Sequence, residues 1–280
     1  MRIHLTTFAT NRFRHRQILL GWSALANGVV DNVAHWTPRS LLAAGFESRC
    51  PEIKLTERGA GFYAWKPFII QKKLQEIPKG DIVFYCDVGR SFPYKLLSGS
   101  LQVFFDWMNA QQQPFMPGVK IPWNGPMSQW TKRHAFIDLG IDSPRVHSES
   151  PIQASFSIWS HTRESLDIVG EWMNLSAQRQ LISDDPSVLG SPELPDFCEH
   201  RWDQALLSLV CLLRELKCLD IGREAPKIDS KHPSEVAGLL GNNSIDSNLL
   251  GKSVEMSSNI IETFERILRR RFKFGKLNLI

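Results

Sequence analysis

Apolar and polar positions alternate along the chain in a way that predicts strands and helices in turn. Residues 2–8 form an apolar, β-branched run that reads as a first strand. Ile18, Leu19, Trp22 and Leu25 then recur at helical spacing and Asn27-Gly28 supplies a stop, so a helix is expected over 13–26. The stretch "VVDNVAHW" (29–36) reads as a second strand, and 38–44 as a short helix ended by Gly45. A further helix is expected over 67–77, opened by Pro67, whose missing N–H costs little in a first turn. After the turn Lys79-Gly80-Asp81, residues 82–86 (IVFYC) are apolar throughout and read as a strand buried on both faces. Strands alternating with helices predict an α/β fold with a mostly parallel sheet.

The second half is less regular. Four prolines and two glycines in "QQQPFMPGVKIPWNGPMSQW" (111–130) exclude a long element and predict a loop. A strand is expected at 151–160, a helix over 162–175, a loop over 183–197 and a strongly apolar helix over 203–216. Residues 224–258 are polar and rich in Gly, Asn and Ser, whereas Ile260, Ile261, Phe264, Ile267 and Leu268 share one helical face beside Arg269, Arg270 and Arg271. The expected organisation is one domain over 1–225, with 226–280 as a polar segment and a basic amphipathic helix packed on it.

Composition narrows the class. The 280 residues are 42% hydrophobic and 22% charged, with a net charge of +4, which suits an anionic substrate or a membrane surface and is too small to argue for nucleic acid. The five cysteines form no CxxC pair, so a disulfide framework is not expected and a reducing compartment is. Cys198 and His200 lack two further ligands at zinc spacing. The first residues show no apolar core of a signal peptide, and no apolar stretch approaches a membrane span; a cytoplasmic location is expected.

Three stretches carry candidate chemistry. Asp87 ends the buried strand, at the edge where open α/β sheets bind ligands, and Gly89 permits close backbone approach. A carboxylate there suits a divalent cation or a sugar hydroxyl; the alternative is an aspartate that caps a turn. Lys66, between Trp65 and Pro67, sets a cation near a helix start, a setting for phosphates; the alternative is a solvated lysine. At "CEHRWDQALLSL", the residues Glu199, His200, Arg201, Asp203 and Gln204 crowd one helix start. One of them can cap the helix, and the rest suit sugar hydroxyls, with Asp203 or Glu199 able to accept a proton.

Taken together, "GAGFYAWKPFIIQKKLQEIPKGDIVFYCDVG", "PIQASFSIW" and "EHRWDQALLSL" resemble bacterial glycosyltransferases that run Gly-x-Gly-Tyr-x-x-Trp-Lys-Pro, a helix, then Gly-Asp-x-x-x-Tyr-x-Asp-x-Gly. These belong to the nucleotide-diphospho-sugar transferases of the GT-A fold, and the likeness runs from about Arg2 to Leu213. It implies a Rossmann-like sandwich that moves a sugar from a nucleoside-diphosphate donor to a glycan or lipid-linked acceptor, as in cell-surface polysaccharide synthesis. It also implies a divalent cation (Mn2+ or Mg2+) at Asp87, with His232 as a weak second ligand. Lys66, Trp65, Gly89 and Arg201 would lie near the diphosphate, Asp203 and Gln204 at the donor sugar, and Thr6 and Thr7 at the base and ribose. Asp203 is the expected proton acceptor and Glu199 the reserve. The chain departs from the pattern where Gly89 replaces the second aspartate of Asp-x-Asp and where Phe62 and Tyr63 fill the aromatic slot. The loop holding Trp123 and Trp130 is expected to close over the donor or acceptor.

Two rivals follow from the same residues: a glycoside hydrolase, which needs paired carboxyls and has no use for a phosphate-binding lysine, and a sugar-nucleotide or glycan binder without turnover. The arginine-rich tail suits either packing on the domain or contact with an anionic membrane at the inner face.

Overall fold

The computed structural model describes residues 1–88 and 101–220. Among these, a five-stranded sheet runs in the order β2-β1-β3-β7-β4, with β1 at Ile3–Phe8, β2 at Asn32–Trp36, β3 at Ile82–Cys86, β4 at Phe115–Met116 and β7 at Phe156–Ser160. Strand β1 pairs in parallel with β2 and β3, whereas β7 is antiparallel to β3 and β4. The sheet is therefore mixed: the first three strands follow the parallel expectation, and the reversal enters at β7. A smaller sheet joins β6 (Ile152–Gln153), β5 (Val119–Lys120) and β8 (Leu219–Asp220).

Strand β3 shows how the sheet separates two cores. Ile82, Phe84 and Cys86 face one apolar cluster, and Val83 and Tyr85 the other, as a period of two demands. The first cluster takes helix α1 (Arg14–Ala26), through Leu19, Leu20 and Ala24, and a helix at Gln102–Gln111. The second takes three helices, Trp65–Glu76, Arg163–Ser176 and Trp202–Leu213, which pack on one another against Trp159 and Tyr85. Trp172, 0% exposed, pins two of these helices together by donating from its indole to the Asp203 carbonyl at 2.9 Å.

Several expected elements shift. Residues 151–160 divide into β6 and β7, which belong to different sheets. The helix expected over 67–77 begins at Trp65, which places Pro67 in its first turn, where no intrahelical N–H bond is lost. The helix expected over 162–175 starts at Arg163, with Thr162 as its cap accepting from the Ser165 N–H at 3.1 Å. The last helix runs over Trp202–Leu213 rather than 203–216. The proline-rich stretch 111–130 holds only two-residue strands and single turns. Among the described residues no helix is long and apolar enough to cross a membrane. The polar segment and basic tail over 226–280 lie outside the described residues.

Candidate functional site

The glycine-aromatic stretch before Trp65 adopts a turn of the opposite hand to an ordinary helix. Gly59, Ala60, Gly61, Phe62 and Tyr63 all have positive φ, at 61, 56, 90, 52 and 62°. For L-residues each such position costs roughly 1–2 kcal/mol, so the turn persists only because its surroundings hold it. The two glycines are required by space as well as by φ. A Cβ on Gly59 would meet the Tyr63 ring at 2.3 Å, and one on Gly61 would meet Ile53 at 2.8 Å. The turn lets the Trp65 indole donate to the Gly59 carbonyl at 2.9 Å, while its ring stacks on Phe8 at 4.1 Å. Trp65 is thereby a buried wedge at the end of β1, rather than an exposed stacking platform.

Directly after this turn, Lys66 points into the fold and is 4% exposed. Its ammonium lies 2.9 Å from Asp203 Oδ2, 3.7 Å from Asp87 Oδ1 and 3.0 Å from the Ala154 carbonyl oxygen, to which it donates. Three elements thus converge on one cation: the edge of β3, the link between β6 and β7, and the start of the Trp202–Leu213 helix. The Tyr63 and Tyr85 rings flank it at 5.7 and 5.3 Å. Burial alone would pull the ammonium down, but Asp203 and Asp87 outweigh it and hold Lys66 above its ordinary value. Asp203 is 3% exposed, and burial drives its carboxyl up to about 6 against the pull of Lys66. Burial and then Asp87 push the Tyr85 phenol far up, so it stays protonated and donates to Asp87 Oδ1.

This geometry changes the expected roles. Lys66 is enclosed by acceptors and does not face solvent, where it would meet a diphosphate; it fixes two carboxylates instead. Asp203 spends its carboxylate on Lys66 and is too buried to take a proton from an incoming acceptor. Asp87 is the open member of the group, with a side chain 40% exposed. Glu199 is open as well, at 44%, and stands 3.5 Å from Arg58 and 3.9 Å from Arg201. Arg58 in turn covers the Trp202 ring at 4.2 Å and reaches Asp184 at 3.9 Å, while the Trp202 indole donates to Asp184 at 2.9 Å. Arg201 stacks on Trp130 at 3.6 Å, and its N–H donates to the Trp130 carbonyl. The expected lid is therefore stitched at Trp130 to the helix start, whereas Trp123 is 64% exposed.

His200 is structural. It is 3% exposed, its Nε2–H donates to the Leu181 carbonyl at 2.9 Å, and its Nδ1 accepts from the Lys132 N–H at 3.2 Å. Burial, with the Lys132 charge, pulls it down to about 3, so it stays neutral. Gln204 holds the β6–β7 link, accepting from the Ala154 N–H at 3.4 Å. Thr6 and Thr7 are fully buried in β1, so neither is placed to meet a base or ribose. Gly89 and His232 lie outside the described residues. Sequence reasoning missed Tyr85, although its spacing of two from Asp87 puts both on one face of the strand, and it missed Arg58 and Asp184 at the rim.

The donor set for a metal is spare. Among the described residues no three His, Cys, Asp or Glu side chains converge. Within the Lys66 group Asp87 is the accessible carboxylate, and one carboxylate suits an ion of the Mg2+ type that takes its other ligands from substrate phosphates and water rather than a protein-only cage. A separate cavity of about 220 Å3, lined by Lys120, Arg145, Glu149 and Cys211 among others, includes none of these residues. Set against protein-family models, curated proteins and solved structures, the chain matches none of them.

Proposed function

We propose that the protein is a glycosyltransferase of the GT-A kind, which moves a sugar from a nucleoside-diphosphate donor to a glycan or lipid-linked acceptor in cell-surface polysaccharide synthesis. The observation that carries this reading is the Lys66 ammonium, held between Asp87 and Asp203 at the carboxyl edge of a parallel β2-β1-β3 unit. Ligands of open α/β sheets bind at that edge. Strain supports it too: of the six non-glycine residues with positive φ among those described, Ala60, Phe62 and Tyr63 lie in the turn just before Lys66 and Trp202 directly precedes Asp203.

In this reading Asp87 touches the donor, and Lys66 and Asp203 are positioning residues that fix its carboxylate. A divalent cation on Asp87 would neutralise charge that grows on the departing diphosphate. Glu199, open beside Arg58 and Arg201, accepts the proton of the acceptor hydroxyl. Arg58, laid over the buried Trp202 ring, forms the open rim, where its guanidinium can hydrogen-bond sugar hydroxyls.

The test is release of nucleoside diphosphate from a panel of nucleotide sugars with manganese present. Turnover with one donor that falls by about 100-fold or more in Asp87→Asn supports the reading, since removing one electrostatic partner of a reacting group costs that much. Tight binding of a donor with no turnover favours the binder. Cleavage of a free glycan without any nucleotide favours the hydrolase.

A further inference from the structure

Helix α1 carries an apolar stripe that nothing in the described fold covers. Ile18, Trp22 and Leu25 are spaced by four and three residues, so they share one face. They are 43, 64 and 44% exposed, while Leu19, Leu20 and Ala24 of the opposite face are buried in the core. Arg14, one turn before Ile18, is half-buried and donates to the Gln17 side chain, and Arg12 is exposed in the turn before the helix. Of the four arginines in residues 1–30, Arg2 and Arg12 are exposed, Arg14 is half-buried and Arg16 is buried; no acidic residue falls among these thirty, and the exposed Asp31 follows them. The first turn of α1 follows the carboxyl end of β1, so its arginines lie at the sheet edge that holds Asp87.

We propose that this face of α1 docks on an anionic phospholipid surface. An apolar stripe that includes a tryptophan, flanked by arginines and free of acidic side chains, fits the boundary between lipid headgroups and acyl chains. The charges decide the occupant: a bilayer of anionic lipids offers the arginines opposite charge. A second copy of the same face offers them only more arginine. The docking stands on the helix alone and is independent of the transferase reading. If both hold, a lipid-linked acceptor would meet Asp87 at the membrane surface.

The experiment is co-sedimentation of the full chain with vesicles, without substrate. Vesicles of phosphatidylcholine mixed with phosphatidylglycerol should retain the protein, and pure phosphatidylcholine should not. The variant combining Ile18→Ser, Trp22→Ser and Leu25→Ser should weaken retention about tenfold or more without a change in melting temperature. Arg12→Gln should weaken it about fivefold, and added salt should reduce it further. Three results overturn the proposal: absence of retention on anionic vesicles, retention unchanged in the triple variant, or a concentration-dependent dimer that the triple variant abolishes.

Discussion

Among the described residues two lysines are buried, and their surroundings differ in one respect that matters. Lys66 meets two carboxylates and a carbonyl; Lys132, 3% exposed, meets only carbonyl oxygens, those of Ser183 and Asp185 at 3.1 Å each. Burial is the largest influence on both. It is outweighed at Lys66, which stays above its ordinary value, and it prevails at Lys132, which falls below. Carboxylates keep a buried cation charged, whereas carbonyls satisfy its protons without balancing its charge. Lys132 ties the 183–185 segment to the fold. Lys66 organises two carboxylates at a ligand-binding edge, one of them open.

Methionine deletes each ammonium while keeping a side chain of similar length. Lys66→Met strands Asp203 in the interior and should cost about 3–5 kcal/mol in urea unfolding. Adding Asp203→Asn should recover part of that loss. Lys132→Met strands no charge and should cost about 1–3 kcal/mol, the range for lost buried hydrogen bonds. Equal losses in the two variants would show that Asp203 is not held as an ion by Lys66.

A smaller effect probes what aims Lys66. Gly61→Ala forces a Cβ into a position at φ +90° and against Ile53, and should cost about 1–2 kcal/mol with a raised requirement for donor. Wild-type stability and donor affinity would contradict the role assigned to the left-handed turn.

A third test separates the two sites by pH. His200, beside Lys132, is neutral in the fold with its value lowered from 6.5 to about 3, so its contribution is full above pH 6.5 and is lost as pH falls toward 3. Asp203 is raised from 3.8 to about 6, so its effect has the other sign: favourable below 3.8 and lost as pH rises through 6. Each changes stability by at most about 1.4 kcal/mol per pH unit within its window, and between pH 3.8 and 6 they oppose. His200→Asn should remove the acid loss and unmask the Asp203 gain on acidification, read by urea unfolding at pH 4 and 6. A variant that still loses stability like the wild type would refute the assignment to His200.

The sequence made the alternation of strands and helices legible, because buried strands such as 82–86 are uniformly apolar and the helices carry clear stops. It did not show that residues 151–160 divide between two sheets, since a short apolar run has no mark for where the chain bends. That Asp87, Lys66 and Asp203 share one neighbourhood was implied by the resemblance that joins their stretches, not by spacing, since Asp203 lies far along the chain from the other two. The direction each side chain points was not: burial of Lys66 depends on a left-handed turn that two glycines permit but do not by themselves reveal. Lys132 had no local sign at all, for its partners are backbone carbonyls about fifty residues away.

Thermal shift of the full chain against a panel of nucleoside diphosphates, with and without manganese, for wild type and for Asp87→Asn, reads donor binding at Asp87. A ligand that binds the folded state raises the melting temperature by mass action. The account predicts a rise with one nucleotide, larger with manganese, smaller below pH 6 as Asp203 protonates, and absent in Asp87→Asn. No rise with any nucleotide, or a rise that survives Asp87→Asn unchanged, would contradict it.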